Sequence, residues 1–156
     1  MRVASTVAAA VFAADQLSKY AVVHLMGLSE RLAINVWPPY LNFRMAWNRG
    51  VNFGLFASYG ELWRWALICI ALAIAMWVWL WVRRERHSML VQVAAGLLVG
   101  GALGNVVDRV LYGAVADFLN MSCCGLDNPF AFNIADVGIA VGAVGLIVFS
   151  GREKSP

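Results

Sequence analysis

Residues 62–82 read LWRWALICIALAIAMWVWLWV, twenty-one positions with Arg64 as the single charge. A helix of about 20 apolar residues is what a hydrocarbon core roughly 30 Å thick requires. Trp63 and Trp65 stand near one end of this stretch and Trp77, Trp79 and Trp81 near the other. The sixteen steps from Trp63 to Trp79 rise roughly 24 Å at about 1.5 Å per residue, the spacing of two interfacial aromatic belts. The stretch reads as a membrane span.

The composition agrees. Of 156 residues, 62% are apolar or aromatic and 13% are charged, against roughly 45–50% and about 25% in an average soluble domain. Twelve basic and nine acidic residues are too few to cover a soluble globule of this length. Disorder and a disulfide scaffold fit equally poorly. The net charge of +3 is too small to argue for a nucleic-acid partner.

Working outward, three more stretches have spanning length, giving spans at about 3–26, 62–82, 89–111 and 130–149 in one membrane domain over 1–156. Arg2 followed by a run of small and apolar residues resembles a cleaved leader. A single basic residue at the start and apolar sequence resuming from Tyr20 to Leu28 favour a first span instead. The basic turn Arg83-Arg84-Glu85-Arg86-His87 and the terminal charges Arg2, Arg152 and Lys154 place that turn and both termini in the cytoplasm. The loop at about 27–61 then lies outside. Within it Leu41, Phe43, Met45 and Trp47 alternate with Asn42, Arg44, Ala46 and Asn48, predicting a strand in a small sheet at the outer interface. Asn48-Arg49-Gly50 supplies a turn signal. Residues 112–129 give no clear pattern. The fold class expected is an all-α, four-helix membrane bundle with a small β-cradle in the outer loop. Gly96, Gly100 and Gly104, spaced by four, and Gly138 and Gly142 mark close helix packing.

Ionisable groups inside spans are costly and point to function. Asp15, Lys19, Asp108, Arg109, Asp117 and Asp136 are the ones present. At about 1.5 Å per residue Asp15 lies about 20 Å above Arg2 and Asn105 about 24 Å above Met89, with Asp136 about 9 Å inside a span starting at Phe130. All of them gather in the outer half. Asp15 and Lys19, four apart, can pair along one helical face. Asp108 and Arg109 point to different faces and need separate partners, and the planar fork of Arg109 suits a carboxylate or a carbonyl.

Asp117 and Asp136 have no basic neighbour at helical spacing. Two carboxylates in a partly dry site share a proton, one able to activate water while the protonated partner polarises a carbonyl. A proton relay or ion site in a transporter uses the same residues nearly as well. A purely structural scaffold accounts for the glycines and leaves the carboxylates unexplained. His24 and His87 are too far apart for a histidine metal or Ser–His site, so neither metal nor cofactor is expected. Cys69, Cys123 and Cys124 are odd in number, without a Cys-x-x-Cys.

Five blocks together resemble the lipoprotein signal peptidase, or signal peptidase II, family. Asp15-Gln16-Leu17-Ser18-Lys19 resembles its first-span block, and Asn48-Arg49-Gly50-Val51-Asn52-Phe53-Gly54 its outer loop, with Asn52 where the family usually has Ala. Gly104-Asn105-Val106-Val107-Asp108-Arg109 resembles the end of span three. Ala116-Asp117-Phe118 and Phe132-Asn133-Ile134-Ala135-Asp136 resemble the two aspartate blocks, with Gly138 departing from the usual Ser-Ala. The resemblance implies a catalytic dyad of Asp117 and Asp136. It implies that Asn48, Asn105, Arg109 and Asn133 surround the dyad and hold substrate backbone, with Asp15 and Lys19 in support. The substrate implied is a diacylglyceryl-modified prolipoprotein, cut immediately before the lipidated cysteine. The setting implied is a bacterial inner membrane, the enzyme a monomer among membrane lipids with its site near the outer face.

Overall fold

A computed structural model describes residues 1–50, 60–125 and 127–152. In chain order the elements are α1 (Arg2–Lys19) with a π-helical continuation (Tyr20–Leu25), α2 (Leu28–Arg31), β1 (Ala33–Trp37) and β2 (Leu41–Asn48). Then follow α3 (Gly60–Arg84), α4 (Met89–Tyr112), β3 (Val115–Asn120) and α5 (Ile134–Arg152).

α4 is the central helix. Its Gly96 and Gly100 lie against the α1 backbone at Ala4 and Ala8, its Gly101 against Ala135 of α5, and Gly142 of α5 against Ala94 and Leu98 of α4. Without a hydrophobic force between helices in lipid, such small residues let backbones approach and gain dispersion contacts. A Cβ on Gly138 would come within 3.0 Å of Val11 Cγ1 and 3.1 Å of the Leu97 carbonyl, which explains a glycine at that departure from the family pattern. On the third side of α4, Ala75, Val78 and Val82 of α3 pack on Val91, Ala95, Val99 and Ala102. α3 and α5 leave Ile70, Ile74, Trp77, Val144 and Ile147 exposed, as apolar helices facing hydrocarbon do. Trp65 and Trp77 are exposed as the belt reading expects, whereas Trp79 and Trp81 turn partly inward onto the core.

Gly60–Arg84, Met89–Tyr112 and Ile134–Gly151 are long and apolar enough to cross a membrane. α1 carries Arg2, Asp15 and Lys19 within its 18 residues, which sets it apart from those three. The last span begins at Ile134 and not near Phe130, so Asp136 sits in the first turn of α5 rather than deep within it. The Asn133 cap, described below, stops the helix from starting earlier.

The expected strand over 41–48 is present, but the sheet is larger than its loop. It has three antiparallel strands in the order β1-β2-β3, and β3 comes from the segment whose sequence had no clear pattern. Gly113, left-handed at φ 75°, ends α4 and turns the chain into β3. One face of this sheet closes over Val22 and Leu28, with Phe43 edge-on to Phe118 at 5.8 Å. The fold is therefore mostly helical with a three-stranded sheet, not all-α. Residues 51–59, including the Asn52 departure, lie outside the described residues.

Candidate active site

The α5 N-terminus builds half of the site. The first N–H groups of any helix lack intrahelical partners. Here Asp136 N donates to Asn133 Oδ1 at 2.9 Å, and Asn133 N donates to Asp136 Oδ2 at 3.2 Å, a reciprocal capping box over Asn133-Ile134-Ala135-Asp136. A third first-turn donor, Ala135 N, reaches Asp15 Oδ1 of α1 at 3.0 Å. The cap thus aims Asp136 and joins α5 to α1 at once.

β3 builds the other half. Its register sets Asp117 opposite Ala46 and Val115 opposite Asn48 of β2. Asn48 Nδ2 then donates to Asp117 Oδ2 at 3.0 Å, and Asn133 Nδ2 to Asp117 Oδ1 at 2.7 Å. Asn105, on α4, donates from Nδ2 to Asp136 Oδ1 at 2.8 Å. Asn133 therefore touches both carboxylates, one through its side chain and one through its backbone. Both acids are bound by neutral amides. Burial, followed by the nearby Asp136 carboxylate, raises the Asp117 carboxyl from 3.8 to about 7, against the hydrogen bonds from Asn48 and Asn133 that favour its anion.

A second cluster lies directly behind. Lys19 Nζ is 2.8 Å from Asp15 Oδ2 and 2.7 Å from Asp108 Oδ2, and Gln16 Nε2 bridges the same two acids at 3.1 Å each. Asp15 is 0% exposed and Asp108 1%. The expected Asp15–Lys19 pair is present, and it extends to Asp108. Arg109, on another face of α4 as expected, donates to the carbonyl of Asn105 at 3.4 Å and lies within electrostatic reach of Asp136, Asp117 and Asp108. Its Nε has no hydrogen-bond partner among the described residues.

All eight candidate residues (Asp15, Lys19, Asn48, Asn105, Arg109, Asn133, Asp117 and Asp136) thus meet at one end of the bundle, on five different elements and the loop before α5. Asp108 and Gln16 were not singled out as site residues. The signal for Asp108 was its charge inside a span; for Gln16 it was its position one residue after Asp15, on an adjoining face of α1.

The same chain matches the family model for signal peptidase (SPase) II over residues 7–151. The chain belongs to the signal peptidase II family. It is 42% identical over 141 residues to the lipoprotein signal peptidase of Methylobacterium sp. (strain 4-46), covering 90% of this chain and 84% of that one. To the lipoprotein signal peptidase of Burkholderia mallei (strain SAVP1) it is 38% identical over 133 residues, 85% and 78% of the two chains. A solved bacterial membrane enzyme superposes with a TM-score of 0.79 at 29% identity, covering 99% of this chain and 91% of that one. A second such structure gives 0.78 at the same identity, covering 99% and 96%. Membership in signal peptidase II makes the chain a membrane protease, and the transporter and scaffold alternatives fall away.

Proposed function

We propose that Asp117 and Asp136 are the catalytic dyad of this signal peptidase II, removing the signal peptide from prolipoproteins by aspartic proteolysis. The observation that carries this is the pair of carboxylates on separate elements, β3 and α5, joined through the single residue Asn133, whose side chain donates to Asp117 and whose backbone N–H donates to Asp136. One carboxylate takes a proton from the attacking water while the protonated partner donates to the scissile carbonyl. The raised value of Asp117 supports a proton held by the pair near neutral pH. Asn48, Asn105 and Asn133 supply donors that fix both acids without neutralising them. Arg109, with an unused Nε beside the dyad, holds substrate backbone carbonyl.

The substrate is a diacylglyceryl-modified prolipoprotein, cut before its lipidated cysteine. Its lipid chains hold the scissile bond at the outer leaflet, and the dyad sits at the depth where that bond is held. We infer a single domain that crosses the inner membrane four times, α1 with its π-helical continuation being the first span. Asp15 and Lys19 of α1 face protein rather than lipid, which supports that assignment. The basic turn after α3 and the basic termini support cytoplasmic ends and a site near the outer face. The enzyme works as a monomer among membrane lipids and without cofactor.

Asp117→Asn and Asp136→Asn proteins, purified in detergent, are expected to lose cleavage of a diacylglyceryl lipopeptide by at least about a thousandfold while remaining folded. Wild-type turnover by either variant rejects the assignment. Activity of the parent protein is expected to fall at both acidic and alkaline extremes, since a dyad sharing one proton titrates as a pair.

A further inference from the structure

The cluster behind the dyad has a geometry that electrostatic neutralisation alone does not require. Asp108 Oδ2 accepts the backbone N–H of Ala116 at 3.1 Å, and Ala116 is the residue immediately before Asp117. Asp15 Oδ1 accepts the backbone N–H of Ala135 at 3.0 Å, and Ala135 is the residue immediately before Asp136. The two anchors come from different helices, α4 and α1, and Lys19 lies between them with its ammonium on both. Lys19 also reaches Asn105 Oδ1 at 3.4 Å, the oxygen of the amide whose nitrogen holds Asp136. Gly104 makes the arrangement possible, because a Cβ there would stand 2.6 Å from Asp15 Oδ2.

A peptide N–H held on a buried carboxylate fixes the plane of that peptide and the Cα that follows it, here Ala116 or Ala135, and so the direction in which the backbone enters the dyad aspartate. Two such anchors tied to one ammonium fix two directions relative to one another. We propose that Asp108 and Asp15 are paired positioning residues, each clamping the backbone N–H of the residue before one dyad aspartate, with Lys19 as the shared tie that sets the separation of Asp117 and Asp136. The inference rests on the dyad assignment above. Neither acid touches substrate; each acts through the backbone beside a catalytic carboxylate.

A misplacement of about 1 Å at reacting groups costs on the order of a hundredfold in turnover. Asp108→Ala is therefore expected to lower kcat about a hundredfold on the diacylglyceryl lipopeptide, with KM within about threefold of the parent. Asp108→Asn keeps an oxygen that can accept from Ala116 and leaves Asp15 to neutralise Lys19, so it is expected to restore kcat to within about threefold of the parent. Asp15→Ala and Asp15→Asn should repeat this pattern through Ala135. Amide hydrogen exchange at 115–118 should quicken in Asp108→Ala and stay at the parent rate in Asp108→Asn.

The clamp is overturned if Asp108→Ala keeps the parent kcat, if its loss lies in KM, or if folded Asp108→Asn is as impaired as the Ala variant. Should the Ala variants fail to accumulate, the Asn variants decide alone: a kcat below about a tenth of the parent's rejects the proposal. Asp117→Asn and Asp136→Asn run beside them separate the two ideas. Active dyad variants sink the catalytic assignment itself; inactive ones with an unaffected Asp108→Ala sink only the clamp.

Discussion

Two pairs of carboxylates share one end of this bundle, and their surroundings are opposite. Asp15 and Asp108 enclose an ammonium at 2.8 and 2.7 Å and are almost wholly buried. Asp117 and Asp136 are bound by asparagine amides and backbone donors, with Arg109 nearby but not hydrogen-bonded to either. A cation enclosed between two acids occupies both and makes them anchors. Neutral donors hold two acids in place yet leave their mutual repulsion standing, so a proton can be kept and passed on. The same residue type is scaffold in one pair and reagent in the other, and the counter-ion decides which.

The largest effect should come from breaking the scaffold pair. Lys19→Met leaves two buried carboxylates without their cation and is expected to cost about 3–5 kcal/mol, read as a lowered unfolding temperature in detergent. Adding Asp15→Asn and Asp108→Asn to that variant should recover most of the loss. If it does not, charge is not what Lys19 contributes.

Next in size is crowding. A methyl at Gly104 would meet Asp15 Oδ2 at 2.6 Å and must push it from Lys19 or from Ala135. Gly104→Ala should cost about 1–3 kcal/mol, whereas Gly60→Ala, with open space around it, should leave stability within about 0.5 kcal/mol.

Asn133→Ala removes the acceptor for Asp136 N and the donor to Asp117 together. The lost helix cap is worth about 1 kcal/mol in stability. Turnover should fall by much more than that loss of fold implies, because the Asp117 carboxylate loses a donor while the turn that aims Asp136 loses its cap.

The smallest effect sharpens the contrast through pH. In the folded protein Asp117 holds its proton up to about 7, whereas the unfolded chain releases it near 3.8. Between those values the folded state binds more protons, so this group's contribution to stability falls as pH rises through the window and is level above it. Asp117→Asn should remove that decline, seen as a difference between parent and variant unfolding temperatures that changes from pH 5 to 7 and is flat beyond. A constant difference across the range would mean that Asp117 titrates at its ordinary value.

Much of this protein was legible along the chain. Apolar runs of spanning length, the alternation at 41–48 and the Gly spacings of α4 are local patterns, and local patterns survive folding when one solvent, lipid, imposes the rule. The capping box over Asn133–Asp136 is also local, but the apolar run that starts at Phe130 hides it inside a span. β3 was not legible, because Val115–Asn120 is buried at nearly every position and so shows no alternation. Its strand character depends on a β2 partner about seventy residues earlier in the chain.

The scarcity of charge, the positions of the six ionisable groups and the likeness of five short blocks to one family were properties of the sequence alone, since composition and spacing need no partner to be counted. Which acid meets which neighbour was decided only in three dimensions. Asp108 stands beside Arg109 in sequence but bonds to Lys19 and Ala116, and Asp117 finds Asp136 through the asparagine that caps α5. Helix packing at the glycines brings these groups together, and a carboxylate's chemistry follows from what stands within about 3 Å of it.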